Sequence, residues 1–375
     1  MTKMAGVTWT ITPLSDNQEL VAGIYDELVL NYPNLPANNH WSYIRPLLSH
    51  FYQESQVFIA VARNEQKVFT AIPLVLSKQQ KFIYRWIEFG LPFHKHMNLI
   101  SIPRVTENEI TDILLKLEQA IQQLPLKWHR LAIRNILLDA KVGPDLVSDN
   151  TVFEFSDDSA WFNTSINNGP ESVISKKLVK NLKRLQKKML TIDDDCQLLE
   201  ASSTDEIKTA LLSFRSIEEI SWKGNEGVAI NSSDELISFY SKLVTEFSLS
   251  KQARIFHYGS EDKIYASALG FLLGDSLYIH KISFDQKFMD VAPGSLLIFE
   301  IIKKSLLDDQ INKVSLVTYP DWAKRWHPQS ASAINYIKYN NSIAGRSLQA
   351  AVSIWRGSKP FIKRLRSKLQ QLTPG

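Results

Sequence analysis

A single cysteine, Cys196, among 375 residues leaves no pair for an internal disulfide, and it excludes most structural zinc sites, which need several thiolates. A reducing compartment fits that usage. Charge of one sign is scarce too: 43 Lys and Arg stand against 39 Asp and Glu, a net +4, so bulk charge says little about partners. No window holds 18 uncharged apolar residues, and the opening MTKMAGVTWTITPLSDNQEL has neither an apolar core of signal-peptide length nor a small-residue cleavage pattern. The expectation is a cytoplasmic protein that touches the inner face of the membrane at most peripherally. G-x-S-x-G, Walker and H-E-x-x-H sequences are absent, and His94 and His96 around Lys95 are too isolated for a metal site, so no metal is expected. What is present is a 44% hydrophobic chain, enough for a sizeable core divided between two domains.

The best-organised stretch is Ala266 to Asp309. Lys263 to Leu273 is β-branched and apolar, Gly274-Asp275 is a tight turn, and Ser276 to Ser283 alternates Leu277, Ile279 and Lys281 against Tyr278, His280 and Ile282. That pattern is a hairpin. Pro293-Gly294-Ser295 then opens a helix with Leu296, Leu297, Phe299, Ile301, Ile302 and Leu306 on its apolar face. Such a start offers unobstructed backbone N–H groups backed by the helix dipole, a place suited to a phosphate. The dipole alone contributes roughly 0.3–1 kcal/mol at an exposed site, so it orients an anion without supplying the whole affinity.

Upstream, helices are expected over Asn17 to Leu30 and His40 to Tyr52, with strands at Gln56 to Arg63, Lys67 to Leu76 and Phe82 to Phe89. Thr106 is the N-cap of a helix Glu107 to Leu124, and Trp128 to Ile136 returns as a strand. Leu137 to Gly169 is polar and turn-rich and is expected to hold the linker. Helices Glu206 to Ile220 and Glu235 to Leu249 follow, then the hairpin, the helix from Gly294, a closing strand Lys313 to Val317 and a strand near Ile334 to Tyr339. The two halves therefore share a plan of paired strands, third strand, helix and closing strand, which suggests two copies of one α/β unit. In the first copy no glycine opens the helix, and Glu107 and Glu109 would repel a pyrophosphate.

ISFDQKFMDVAPGSLL resembles the GYD-x-x-Y-x-x-x-SPG-x-LL segment of the CelD/BioF2-like acetyltransferases, GNAT-type enzymes related to the Fem aminoacyltransferases. The basic ISKKLVKNLKRLQKKM, Trp222 in SWKGNEG and DWAKRWHP agree with the same family, so the resemblance runs from about Ile174 to Pro328. It implies tandem GNAT-like α/β domains, each a mixed, mostly antiparallel sheet flanked by helices: 1–165 without cofactor, 166–345 binding acyl-CoA, and a basic C-terminal helix over 346–375. It implies acetyl-CoA or another acyl-CoA as donor and an amine of an amino-sugar or peptide-like acceptor, in envelope or exopolysaccharide synthesis.

Carried over residue by residue, Ile282 and Ser283 are expected to bind the pantetheine, and Pro293, Gly294, Ser295 and Leu296 the phosphates. Trp222, Lys324 and Trp326 are expected at the acceptor. His280 is the expected general base because its ordinary pKa lies near neutrality. Asp285 stands at the family's YD acid, where it could instead position the loop, and Tyr319 follows the closing strand, where a GNAT acid often comes. The sequence departs from the family at Ile282-Ser283-Phe284, where Gly-Tyr is usual, and at Trp322-Ala323 beside Lys324.

The helix Ser175 to Leu190 carries Lys176, Lys177, Lys180, Lys183, Arg184, Lys187 and Lys188 and no acid, with Leu178, Leu182, Leu185 and Met189 in one stripe. It reads either as a solvated face or as a surface for CoA phosphates, tRNA, an acidic polymer or lipid headgroups. It lacks the aromatics that stack on nucleic acid, so nucleic acid is expected only if the donor is an aminoacyl-tRNA. The tail around Trp355 and Phe361 is basic and amphipathic, fit either for an anionic membrane or for packing on the first domain. Two rivals to acyl-CoA chemistry stay open: a non-catalytic degenerate GNAT scaffold, and a Fem-like tRNA-dependent transferase.

Overall fold

The computed structural model describes residues 7–355 except 54–55, 66, 82, 93–106, 139–146, 149–150, 156–158 and 166–168. The first half runs β1 (Thr8–Pro13), α1 (Gln18–Asn31), α2 (Trp41–Phe51), β2 (Val57–Asn64), β3 (Lys67–Lys81), β4 (Tyr84–Gly90), α3 (Glu107–Gln122) and β5 (Arg130–Leu137). Three strands follow, β6 (Val147–Ser148), β7 (Thr151–Phe155) and β8 (Ser159–Asn163). The second half runs α4 (Lys176–Leu190), β9 (Gln197–Ala201), α5 (Thr204–Glu219), α6 (Trp222–Asn225), α7 (Asp234–Leu249), β10 (Ala253–Gly259), β11 (Ile264–Leu273) and β12 (Ser276–Phe284). It ends with α8 (Pro293–Ser305), β13 (Lys313–Ser315), β14 (Gln329–Ala331), β15 (Ala333–Tyr339) and a helix, α9, over 343–355.

The shared plan is realised in two mixed sheets. One is ordered β1-β2-β3-β4-β5-β15-β7-β6, the other β14-β8-β13-β12-β11-β10-β9. In each, antiparallel neighbours lead to a strand that crosses through a helix to a parallel partner, β4 through α3 to β5 and β12 through α8 to β13. A parallel pair needs such a crossover, because a tight turn can only reverse the chain. This is the tandem GNAT-like α/β architecture that the resemblance implied.

Four readings need correction. The stretch expected to hold the linker contains β6, β7 and β8, and β8 buries Ala160 and Phe162 in the core of the second sheet. β1, β9 and β10 were not anticipated. The closing strand stops at Ser315 rather than Val317, because Val317 turns left-handed at φ 64°. The last strand, β15, joins the first sheet between β5 and β7, while β8 joins the second. Thr106 and the tail from Arg356 onward lie outside the described residues.

The helices obey their caps. Ser203 accepts from the Glu206 N–H while Glu206 reaches back to the Ser203 N–H, a full capping box at the start of α5. Val179, Leu182, Leu185 and Met189 bury one stripe of α4 and leave its lysines outward. One face of the second sheet packs under α4 and α8, with Leu277, Ile279, Leu297 and Ile301 in that core. The other face packs against α5 and α7, and its core is continuous with the first half through Tyr43, Phe239 and Phe247. Tyr278 Oη also donates to the Asn34 carbonyl at 2.8 Å across this junction. Helix α9 lays Leu348 and Val352 against Trp86, Ala132 and Tyr339 of the first sheet. Among the described residues no helix is long and apolar enough to cross a membrane.

Candidate active site

The parallel pair β12–β13 is short. Ser276, Leu277 and Tyr278 face Lys313, Val314 and Ser315, after which β12 continues to Phe284 while the other chain turns toward β8, where the Leu316 N–H meets the Ala160 carbonyl at 2.8 Å. The result is a wedge whose inner edge is the second half of β12.

Opposite β11, Leu269 pairs with Lys281 and Gly270 with Ile279, so His280 is the extra residue of a β-bulge. A one-residue bulge shifts the side-chain alternation beyond it. The expected alternation of Leu277, Ile279 and Lys281 against Tyr278, His280 and Ile282 therefore breaks here. His280, Lys281 and Ser283 all turn toward α5, α6 and α7, while Ile282 joins the opposite core.

The α5-side group is charged and buried. Fully buried Glu218 accepts from Lys281 Nζ at 2.6 Å and from Lys223 Nζ at 3.3 Å through Oε1, and from the Ile230 N–H at 2.7 Å through Oε2. Lys223 also donates to the Ile282 carbonyl at 2.8 Å and to Ser283 Oγ at 3.3 Å. Burial disfavours the Glu218 carboxylate, yet Lys281 and Lys223 together hold its pKa below the usual range. Burial first, then Lys281, push the Lys223 ammonium down to about 8 against the pull of Glu218.

His280 sits among Tyr43, Tyr240 and Phe271, with Nε2 3.4 Å from Tyr240 Oη. Burial, Lys281 and Lys223 push its imidazole down to about 3, so it is neutral at physiological pH and a weak proton acceptor.

At the far end of β12, Asp285 is tied into the turn. Its Oδ1 accepts from the Lys287 N–H at 2.9 Å, and its own N–H donates to the Tyr265 carbonyl. A 3-10 turn, Gln286–Val291, leads to Ala292 in the left-handed region at φ 49°, which aims the chain into α8 with Pro293 in the first turn. A Cβ on Gly294 would stand 3.0 Å from Phe284 Cδ1, so the helix start packs on the end of β12. Arg325 Nη2 donates to Ser295 Oγ at 3.2 Å, bringing an exposed guanidinium to this N-terminus. Pro293 and Leu296 are buried beneath it.

The other expected residues are dispersed. Trp222 is 43% exposed at the start of α6, beside Lys223. Tyr319 is half-buried against the α8-side core. Exposed Lys324 pairs with Asp321 at 2.6 Å. Trp326 is fully buried against Phe162 and Trp322, an anchor for the segment that carries Arg325. The structure thus brings His280, Ile282 and Ser283 together at one end of the wedge, and Pro293, Gly294 and Ser295 at the other.

Glu218, Lys223, Lys281 and Arg325 were not anticipated. One signal was there: Ile207, Leu211, Phe214 and Glu218 share a helical stripe, which puts a carboxylate on the buried face of α5.

Residues 176–325 match the family described as an acetyltransferase (GNAT) domain. The protein is an acyltransferase with a GNAT domain in its second half. That domain spans the wedge, the cluster and the start of α8. The crystal structure of FemX resembles this acyltransferase with a TM-score of 0.54 at 12% identity, covering 87% of this chain and 96% of that one. A conserved protein of unknown function from Bacteroides thetaiotaomicron gives 0.52 at 9% identity, covering 88% and 99%. At such identities the likeness is one of fold, and it extends over both sheets. No curated protein matches the sequence.

Proposed function

We propose that the protein is an acyl-CoA-dependent N-acyltransferase, with acetyl-CoA the first donor to test, acting on an amine of an amino-sugar or peptide-like acceptor in envelope or exopolysaccharide synthesis. The observation that carries this reading is the wedge: β12 leaves β13 after three pairs and its free edge ends at the N-terminus of α8, where Arg325 adds a positive charge. Backbone groups at Ile282 and Ser283 would align a pantetheine arm. The first N–H groups of α8 at Gly294 and Ser295, with Arg325, would take the pyrophosphate. Pro293 and Leu296 fix that helix start.

In the reaction, the lone pair of a neutral acceptor amine attacks the thioester carbonyl and the C–S bond breaks. The amine's proton and the thiolate's new proton must be exchanged with the protein or water. His280, as a neutral imidazole, is suited to accept a hydrogen bond from the amine. Tyr319, beyond β13, is the group assigned to the departing thiolate. Asp285 holds the loop, and Trp222 and Lys324 flank the acceptor approach, with Trp326 beneath. The same reading divides the chain at about residue 165 into a first unit without donor and a second that binds it, with a basic C-terminal segment from 346. It also takes the CelD/BioF2-like enzymes as relatives and the cytoplasmic side of the membrane as the place of action.

Calorimetric titration of acetyl-CoA tests this. Wild type binds, Gly294→Glu abolishes binding by filling the helix start with a charged side chain, and Arg325→Glu, at an exposed position, weakens it at least about tenfold, the loss of one charge-assisted contact. Absence of binding by wild type sinks the donor assignment in favour of a tRNA-dependent transferase or a scaffold.

A further inference from the structure

The charges beside β12 do not cancel. Two ammonium groups share one carboxylate, and both oxygens of Glu218 are already engaged, by Lys281 and Lys223 on one side and the Ile230 N–H on the other. Lys223 directs its three protons to Glu218, the Ile282 carbonyl and Ser283 Oγ. Lys281 has Glu218 as its one hydrogen-bond partner among the described residues, and its Nζ lies 5.0 Å from the centroid of the Tyr240 ring. Its side chain is only 10% exposed, and that of Lys223 15%. A nine-tenths buried ammonium with donors to spare, inside a cluster carrying one surplus positive charge, is costly until an anion joins it. The neighbouring rings of His280 and Tyr240 bring no negative charge.

We propose that this surplus is a subsite for an anionic group on the acceptor, so that the amine to be acylated belongs to a molecule that also bears a carboxylate, such as an amino acid, a peptide terminus or an amino-uronic acid. The inference rests on the acyl-donor reading above, since it is Lys223, bonded to Ile282 and Ser283, that places the subsite beside the reacting end of the donor. A single surplus unit of charge matches a monoanion, which favours carboxylate over a phosphate dianion. Residual exposure of both lysines gives the anion its entry.

The experiment titrates acetate and inorganic phosphate by calorimetry into the full chain as wild type, Lys281→Met and Lys281→Arg, with a separate acetyl-CoA titration of each. A single acetate site is expected in wild type, weakened at least about tenfold in Lys281→Met, the loss of one hydrogen bond to a charged group, and kept in Lys281→Arg. Acetyl-CoA affinity stays the same in all three. No acetate binding by wild type, or equal binding by wild type and Lys281→Met, overturns the subsite; tighter phosphate binding that is also lost in Lys281→Met overturns the carboxylate assignment. Should Lys281→Met fail to fold, wild type and Lys281→Arg still decide whether the anion binds. Failure of the donor reading shows separately, in the acetyl-CoA titration. In turnover, an α-amino acid is expected to be acetylated faster than its primary amide, and equal rates contradict the proposal.

Discussion

Glu218 holds two lysines that would otherwise repel each other, and its removal isolates the contribution of one buried charge. Glu218→Gln keeps the shape and the acceptor for Ile230 but leaves Lys223 and Lys281 without a counter-ion, so a loss of about 3–5 kcal/mol is expected in urea unfolding. Lys223→Met in the Glu218→Gln background removes one of the two opposed charges and should recover part of the loss; a change under 1 kcal/mol in the single variant contradicts the buried pair. These residues were barely legible in the sequence. Lys281 lies 63 positions from Glu218, and nothing in either neighbourhood names the other. SWKGNEG did draw attention, but to Trp222, which faces solvent, rather than to Lys223, which the fold buries. A carboxylate on the apolar stripe of α5 was the only local sign, and it says that a partner exists without saying which.

At the scale of elements, the short helix α6 aims Lys223, and it can do so because Gly224 lets it lie on the end of α5. A Cβ there would stand 1.8 Å from the Glu219 carbonyl oxygen, a clash with backbone that no rotamer relieves. Gly224→Ala is therefore expected to lower stability by about 1–3 kcal/mol, the usual cost of overpacking, and to reduce anion binding at Lys281 by disturbing the cluster. Unfolding curves and the acetate titration check the two effects separately; wild-type stability would show that α6 is free to move. Elements with strong local chemistry were readable: the Gly274-Asp275 hairpin and the Pro293-Gly294 start of α8. The bulge at His280 was not, since one unpaired residue leaves no trace in the composition of a strand and yet turns Lys281 to the other face. β6 to β8 were hidden because they are only two to five residues long, too short for a period-2 pattern to stand out from the polar turns around them.

For the whole molecule, the exchange of β8 and β15 between sheets and the shared core around Tyr43, Phe239 and Phe247 join the two units, so they should unfold together. Which edge a terminal strand joins depends on packing between units, and no periodicity within the strand records it. Two histidines report on this joined core. His40 lies against Phe247 of α7, with Nε2 3.3 Å from the Leu35 carbonyl, and His257 contacts Ser267 Oγ at 2.8 Å within the second sheet. Burial lowers both to about 4 from an ordinary 6.5. Between those values the unfolded chain takes up protons that the folded chain refuses, so stability is complete above pH 6.5 and is lost as pH falls toward 4. At ~1.4 kcal/mol per pH unit for each group, these two together with His280, held near 3, remove about 6 kcal/mol between pH 7.5 and pH 5. The depressed carboxylate of Glu218 cannot account for such a loss, because its own contribution declines only below the usual glutamate range. Urea unfolding at the two pH values should show the drop as one transition, and His40→Gln or His257→Gln should each remove about a third of it. A stability independent of pH over that window, or two separate transitions, would contradict the joined core with its neutral histidines.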